Sequence, residues 1–125
     1  MNILIAIFIG GGLGSLSRFG LSKLLLFFSS SSIFPIATLL SNSISCVIVG
    51  IALSLCVNKF DNNLFFSFLI IGFCGSFSTF STFSLETFYL IKSNNTITAL
   101  SNVLINILLC LAIIYVLLNK KDLDF

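Results

Sequence analysis

Residues 75–84 read GSFSTFSTFS, and hydrophobic sequence flanks them on both sides. Ser76, Ser78, Thr79, Ser81, Thr82 and Ser84 put six hydroxyls into nine positions, interleaved with Phe77, Phe80 and Phe83 at every third residue. A hydroxyl donates one hydrogen bond, and an aromatic ring carries positive potential at its edge. Phe80 and Phe83, three apart, share one face of a helix, so ring edges and hydroxyls together suit a small anion. Gly72 and Gly75 precede the hydroxyls and make a helix easy to break here. A break exposes amides and also carbonyls, and carbonyls collected in one place can hold a small cation. A stripe of Phe is more often plain packing, yet a segment built only to pack has little use for so many hydroxyls.

Other polar side chains lie within apolar sequence. Asn42 stands in one such stretch, and Asn102 and Asn106, four apart, share a helix face that Cys110 continues. An amide facing lipid is costly, so these are either glue between helices or the lining of a polar path, and both readings stand. Glu86 is either a solvated helix end or a group at the mouth of such a path. In GGGLGSLSR, residues 10–18, Gly10 and Gly14 form a GxxxG pair extended by Ser17, which lets another backbone approach closely. Arg18, at its end, has the reach to snorkel to a membrane surface. The lysine and hydroxyl of a phosphate-binding loop are missing from that stretch. Cys46, Cys56, Cys74 and Cys110 sit singly in apolar runs without metal-site spacing and read as small buried hydrophobes.

The elements that must carry these residues follow from composition. Of 125 residues 58% are hydrophobic and 8% charged, whereas soluble domains run near a quarter charged. This composition indicates a membrane protein. With no His and only Asp61, Glu86, Asp122 and Asp124 as acids, acid–base catalysis has few groups to use, and an enzyme is not expected. A net charge of +2 from scattered basic residues makes neither a nucleic-acid surface nor a polybasic lipid patch. The first apolar run lacks a preceding basic residue and a following small-residue cleavage site, so it is expected to be a mature span.

Four stretches reach the length of about 20 apolar residues that a spanning helix needs. They cover about residues 2–21 (with apolar character returning through Phe28), 36–57, 64–91 and 97–118, separated by Ser29–Ser32 with Pro35, by NKFDNN and by KSNNT. The expectation is a single all-α transmembrane domain over residues 1–125, its third helix broken near 75–80 and both termini on one side. Such a break is tolerated at depth only where it is buried in protein or faces a cavity. Lys59, Lys120 and Lys121 then lie on the terminal side and Arg18, Lys23 and Lys92 on the other, three against three. Orientation follows the bias of Lys and Arg. Without a bias, the chain either inserts both ways and pairs as an antiparallel dual-topology homodimer, or takes one orientation for reasons the count does not reveal.

The stretch GFCGSFSTFSTFSLE, residues 72–86, resembles the signature of the Fluc family of fluoride channels, also known as CrcB. The resemblance extends over essentially the whole chain, through the Gly-rich first helix ending in Arg18 and ATLLSN with Asn42 in the second. It implies passive, fluoride-selective export across the cell membrane by a dual-topology homodimer with two pores and a structural sodium at its centre. By resemblance Asn42, Phe80 and Phe83 line the fluoride pore with Ser81 and Thr82. Arg18 and Glu86 belong to the outer ion path, and the backbone carbonyls of Gly75 and Ser78 hold the sodium. Asn102 and Asn106 stand where relatives often have Tyr and Ser, and are placed on the same outer path. Ser45 and Cys46 stand where relatives usually have a Gly; these departures keep hydrogen-bonding capacity, so conduction is expected to survive them.

Two other functions compete. A small four-helix proton-coupled drug antiporter needs a carboxylate deep in the membrane, usually in the first helix, and the first helix here has none. A non-transporting accessory subunit would use the same polar residues only as interhelical glue.

Overall fold

The computed structural model describes residues 2–28, 33–56 and 63–119. Lys59, Lys120 and Lys121, half of the charge count, lie outside them, as do Ser29–Ser32, Asp61, Asp122 and Asp124. Helix α1 (Ile3–Phe28) is followed by α2 (Ile36–Cys56) and then by a composite third span. That span consists of α3 (Asn63–Phe66), a π-helical stretch Ser67–Cys74, the short α4 (Gly75–Phe77) and α5 (Phe80–Lys92). Helix α6 (Thr96–Leu118) completes the chain. Among the described residues four helical segments are long and apolar enough to cross a membrane.

The spans agree with the hydropathy pattern except at the first, where α1 continues to Phe28 rather than stopping near Leu21. Gly20, Ser22 and Lys23 are too few to stop a helix whose flanks are Leu and Phe, and Lys23 rests its ammonium 5.5 Å from the Phe19 ring. Pro35 precedes α2, where its fixed φ and missing N–H cost nothing. The turn after α5 is closed by Asn94 at φ 61°, a conformation Asn tolerates better than most residues. Its amide donates to Ile91 O at 3.0 Å and that of Asn95 to Leu90 O at 2.9 Å, the paired bonds of a Schellman ending.

Helix α1 packs chiefly on the π-helical stretch and α4, α2 packs on α6, and α5 packs on α6. The contact with α1 is backbone against backbone. A Cβ on Gly10 would overlap the Phe68 carbonyl and one on Gly14 the Phe73 carbonyl, while one on Gly72 would lie 2.9 Å from Ile7 O. The GxxxG pair therefore packs within the chain, against the third span.

The third span breaks at Ser78 and Thr79, whose ψ of 159° and φ of −155° are extended. This lies within the range expected from the sequence, but the glycines are not what yields. Gly75 keeps helical angles (φ −62°, ψ −29°), and Gly72 serves the close approach to α1. The break falls where hydroxyl side chains can replace helical hydrogen bonds.

Candidate functional site

At the break several backbone groups bond to neighbouring side chains instead of to the helix. The Cys74 carbonyl accepts from Ser78 N at 3.0 Å, from Ser78 Oγ at 2.8 Å and from Ser45 Oγ at 3.4 Å. Thr79 caps α5, its Oγ1 accepting from Thr82 N at 3.2 Å, the usual office of a Thr at an N-cap. The Thr79 amide, which an unbroken helix would give to the Gly75 carbonyl, instead donates to Asn42 Oδ1 at 2.8 Å. Asn42 Nδ2 returns a longer bond, 3.4 Å, to the Thr79 carbonyl. Asn42 thus clips the break from α2 with both ends of its amide.

The same amide leads into α6 and back. Asn42 Nδ2 donates to Asn106 Oδ1 at 3.1 Å, Asn106 Nδ2 to Asn102 Oδ1 at 3.1 Å, and Asn102 Nδ2 to Thr87 Oγ1 at 3.0 Å. Asn102 is fully buried and Asn106 nearly so.

A cavity of about 450 Å³ opens beside the break, with Asn42, Ser78, Thr79, Phe80, Phe83 and Asn106 in its wall. The two rings stand with centroids 5.7 Å apart and planes tilted by 42°. Their settings differ: Phe83 is 7% exposed and Phe80 78%. Helix α5 begins here, so its amide dipoles point into the wall of the cavity, a polarity that favours an anion. The carbonyl end of α4, on the other side of the break, has the opposite polarity. Gly75, on that side, is exposed, and a Cβ there would meet nothing nearer than Ile70 O at 3.7 Å.

Arg18 comes to this same turn. Its Nη1 donates to Thr82 Oγ1 at 3.3 Å, and Thr82 Oγ1 also accepts from Thr79 Oγ1 at 3.0 Å. Ser81 is exposed, its hydroxyl 3.4 Å from that of Thr79. Glu86 lies elsewhere, one helical turn and more along α5, where Oε1 accepts from Thr38 Oγ1 at 2.8 Å and the buried Oε2 has no partner among the described residues. It lines a second cavity of about 650 Å³ with Ser22, Pro35, Tyr89 and Lys92. The structure therefore brings Asn42, Gly75, Ser78, Phe80, Phe83 and Asn106 to one place, sets Arg18 and Thr82 beside it, and keeps Glu86 and Asn102 apart.

Thr38 and Thr87 were not singled out by the sequence reading. A signal existed: Thr38 is four residues before Asn42 and Thr87 four after Phe83, each on the face of a residue already marked. Cys46, Cys74 and Cys110 are unbridged and border the smaller cavity. Among the described residues no three His, Cys, Asp or Glu side chains group to hold a metal.

The family model for the CrcB-like proteins (camphor resistance, CrcB) matches residues 5–117. The chain belongs to the CrcB family. Proteins named fluoride-specific ion channel FluC are similar to it along most of their length. The one from Coxiella burnetii (strain CbuK_Q154) is 40% identical over 114 residues, 90% of each chain. That of Azobacteroides pseudotrichonymphae is 48% identical over 102 residues, 80% of each, and that of Pyrococcus abyssi 41% identical over 108 residues, 86% of this chain and 85% of its own. The CrcB match runs through all four spans and the break between them, so this chain is a multi-pass membrane protein.

Proposed function

We propose that this chain is a fluoride-selective channel that exports fluoride passively across the cell membrane and lowers its toxic concentration inside. The observation that carries the proposal is the break at Ser78–Thr79, where an α5 N-terminus, the Asn42 amide and the Phe80 and Phe83 rings meet around one cavity. Fluoride is compact and strongly hydrated, so a pore must replace water's donors with its own. Hydroxyls, an amide and ring edges are individually weak donors, which lets the ion leave as readily as it enters. Both hydrogens of Asn42 Nδ2 are already engaged, and the longer bond, to Thr79 O, is the one a passing fluoride would displace. Arg18 beside Thr82, and Glu86 in the larger cavity, are assigned to the outer part of the path.

The working unit in this proposal is an antiparallel homodimer. Phe80 and Gly75 are exposed on one chain although they border the site, and a second copy against that face would enclose both. The carbonyls of Gly75 and Ser78 would hold a sodium ion at the centre of such a dimer. Their chemistry fits: the Thr79 amide is diverted to Asn42, and the Ser78 hydroxyl is turned inward to Cys74 O, leaving backbone oxygens as ligands. A sodium ion held there would supply a fixed positive charge between the two broken helices.

The deciding experiment is efflux from liposomes holding the purified protein, followed with a fluoride electrode and compared with chloride loss from the same vesicles. With a potassium ionophore and no proton gradient, rapid fluoride loss with little chloride loss is the expected result. Absence of flux from a folded dimer would return Asn42 and the rings to packing roles and favour an accessory subunit. Glu86→Gln separates the remaining alternative, since it would abolish proton-coupled exchange and only slow a channel.

A further inference from the structure

The hydrogen-bond chain that begins at the break has a fixed direction. The Thr79 backbone amide can only donate, so the Asn42 atom facing it at 2.8 Å must be the carbonyl oxygen. That places Asn42 Nδ2 against Asn106, which must then present Oδ1, and the same necessity passes to Asn102. Asn102 is left with Nδ2 toward Thr87, at 3.0 Å, so Thr87 Oγ1 accepts and spends its own proton on the Phe83 carbonyl at 2.8 Å. The chain leaves the backbone at residue 79 and returns to it at residue 83. It closes a ring around the first turn of α5, the turn that carries Phe80 and Phe83. A turn freed from helical bonds at its start is thus held at both ends by side chains on α2, α6 and α5 itself.

We infer that Thr87, with Asn102 as its link, is a positioning residue for the anion site: it sets the aim of the Asn42 amide and the seat of the two rings without touching the ion. This rests on the conduction reading above. Asn102 is fully buried, which suits a link better than a lining. Reversing any one amide in the chain would set donor against donor, so the single orientation is enforced along its whole length.

Two measurements on the full-length protein in lipid test this. Amide hydrogen exchange is followed over residues 79–83 and, as an internal control, over residues 46–55 of α2; fluoride efflux is measured per folded dimer. Thr87→Val keeps the shape and removes the hydroxyl, while Thr87→Ser restores it. The expected result for Thr87→Val is faster exchange in 79–83 alone and fluoride efflux lower by about tenfold, the scale of one buried polar group left unpaired, with both recovered in Thr87→Ser. Asn102→Leu, an apolar replacement of similar size, is expected to act in the same direction and decides the matter if Thr87→Val does not fold. Unchanged exchange in a folded variant overturns the chain as the means of support. Faster exchange with unaltered efflux overturns its role in conduction. Absence of efflux from the unmodified protein sinks the channel proposal instead, and the exchange measurement still decides whether the chain holds the turn.

Discussion

Phe80 and Phe83 look equivalent in the sequence, but their surroundings separate them. Phe83 is packed inside the chain and Phe80 projects from it, so replacing each by Ile removes the same ring edge at different structural cost. Phe80→Ile is expected to lower the melting temperature of the purified protein less than Phe83→Ile, because Phe80 is largely exposed within its own chain. Phe83→Ile should lower stability by on the order of 1–3 kcal/mol, the usual range for reshaping a packed site. An aromatic edge contributes roughly 0.5–1.5 kcal/mol, so both variants should lose fluoride efflux by a few-fold to about tenfold. Efflux unaffected in both would remove the ring edges from the mechanism. Asn42 and the paired rings were legible because an amide and a hydroxyl-rich Phe run are conspicuous in apolar sequence. Thr38 and Thr87 were not, because a Thr within a helix most often bonds its own i−4 carbonyl, and Thr87 does that too while serving Asn102.

The four spans could be read from hydropathy because each must cross about 30 Å of hydrocarbon as a helix. The inside of the third span could not. Nothing in SFLIIGFC distinguishes the π-helical turn Ser67–Cys74 from an ordinary α-helix, since the choice is made by packing against α1 and not by local preference. The glycines of α1 record that packing. Gly10 and Gly14 touch carbonyls of the third span, whereas a Cβ on Gly12 would meet nothing within 4 Å. Gly10→Ala and Gly14→Ala are therefore expected to push α1 off the third span at a cost of about 1–3 kcal/mol or more, and to impair efflux by shifting the break. Gly12→Ala should melt like the unmodified protein. Equal melting temperatures for all three in detergent would show that the close approach of α1 is not what seats the broken helix.

At the scale of the whole molecule the open question is which side each turn faces. On the sequence count the basic residues divide three against three, which is compatible with insertion both ways and with one orientation set by other features. A membrane protein with a fixed orientation has no need of such balance, whereas an antiparallel pair requires both orientations in equal number. One chain alone leaves Phe80 and Gly75 of the site uncovered, and a partner inserted the opposite way would bring its own broken helix to the same depth. Asn2 and Asn94 make this testable, since both are exposed and they lie at opposite ends of the spans. A single cysteine placed at either position, in a chain whose four native cysteines are replaced, should react with a membrane-impermeant maleimide from outside intact cells in about half the molecules, the share that equal insertion predicts. The remainder should react only after the cells are opened. Labelling of Asn94→Cys wholly from one side, with Asn2→Cys wholly from the other, would mean a single orientation. The exposed face at Phe80 would then have to be covered by a parallel copy or by lipid.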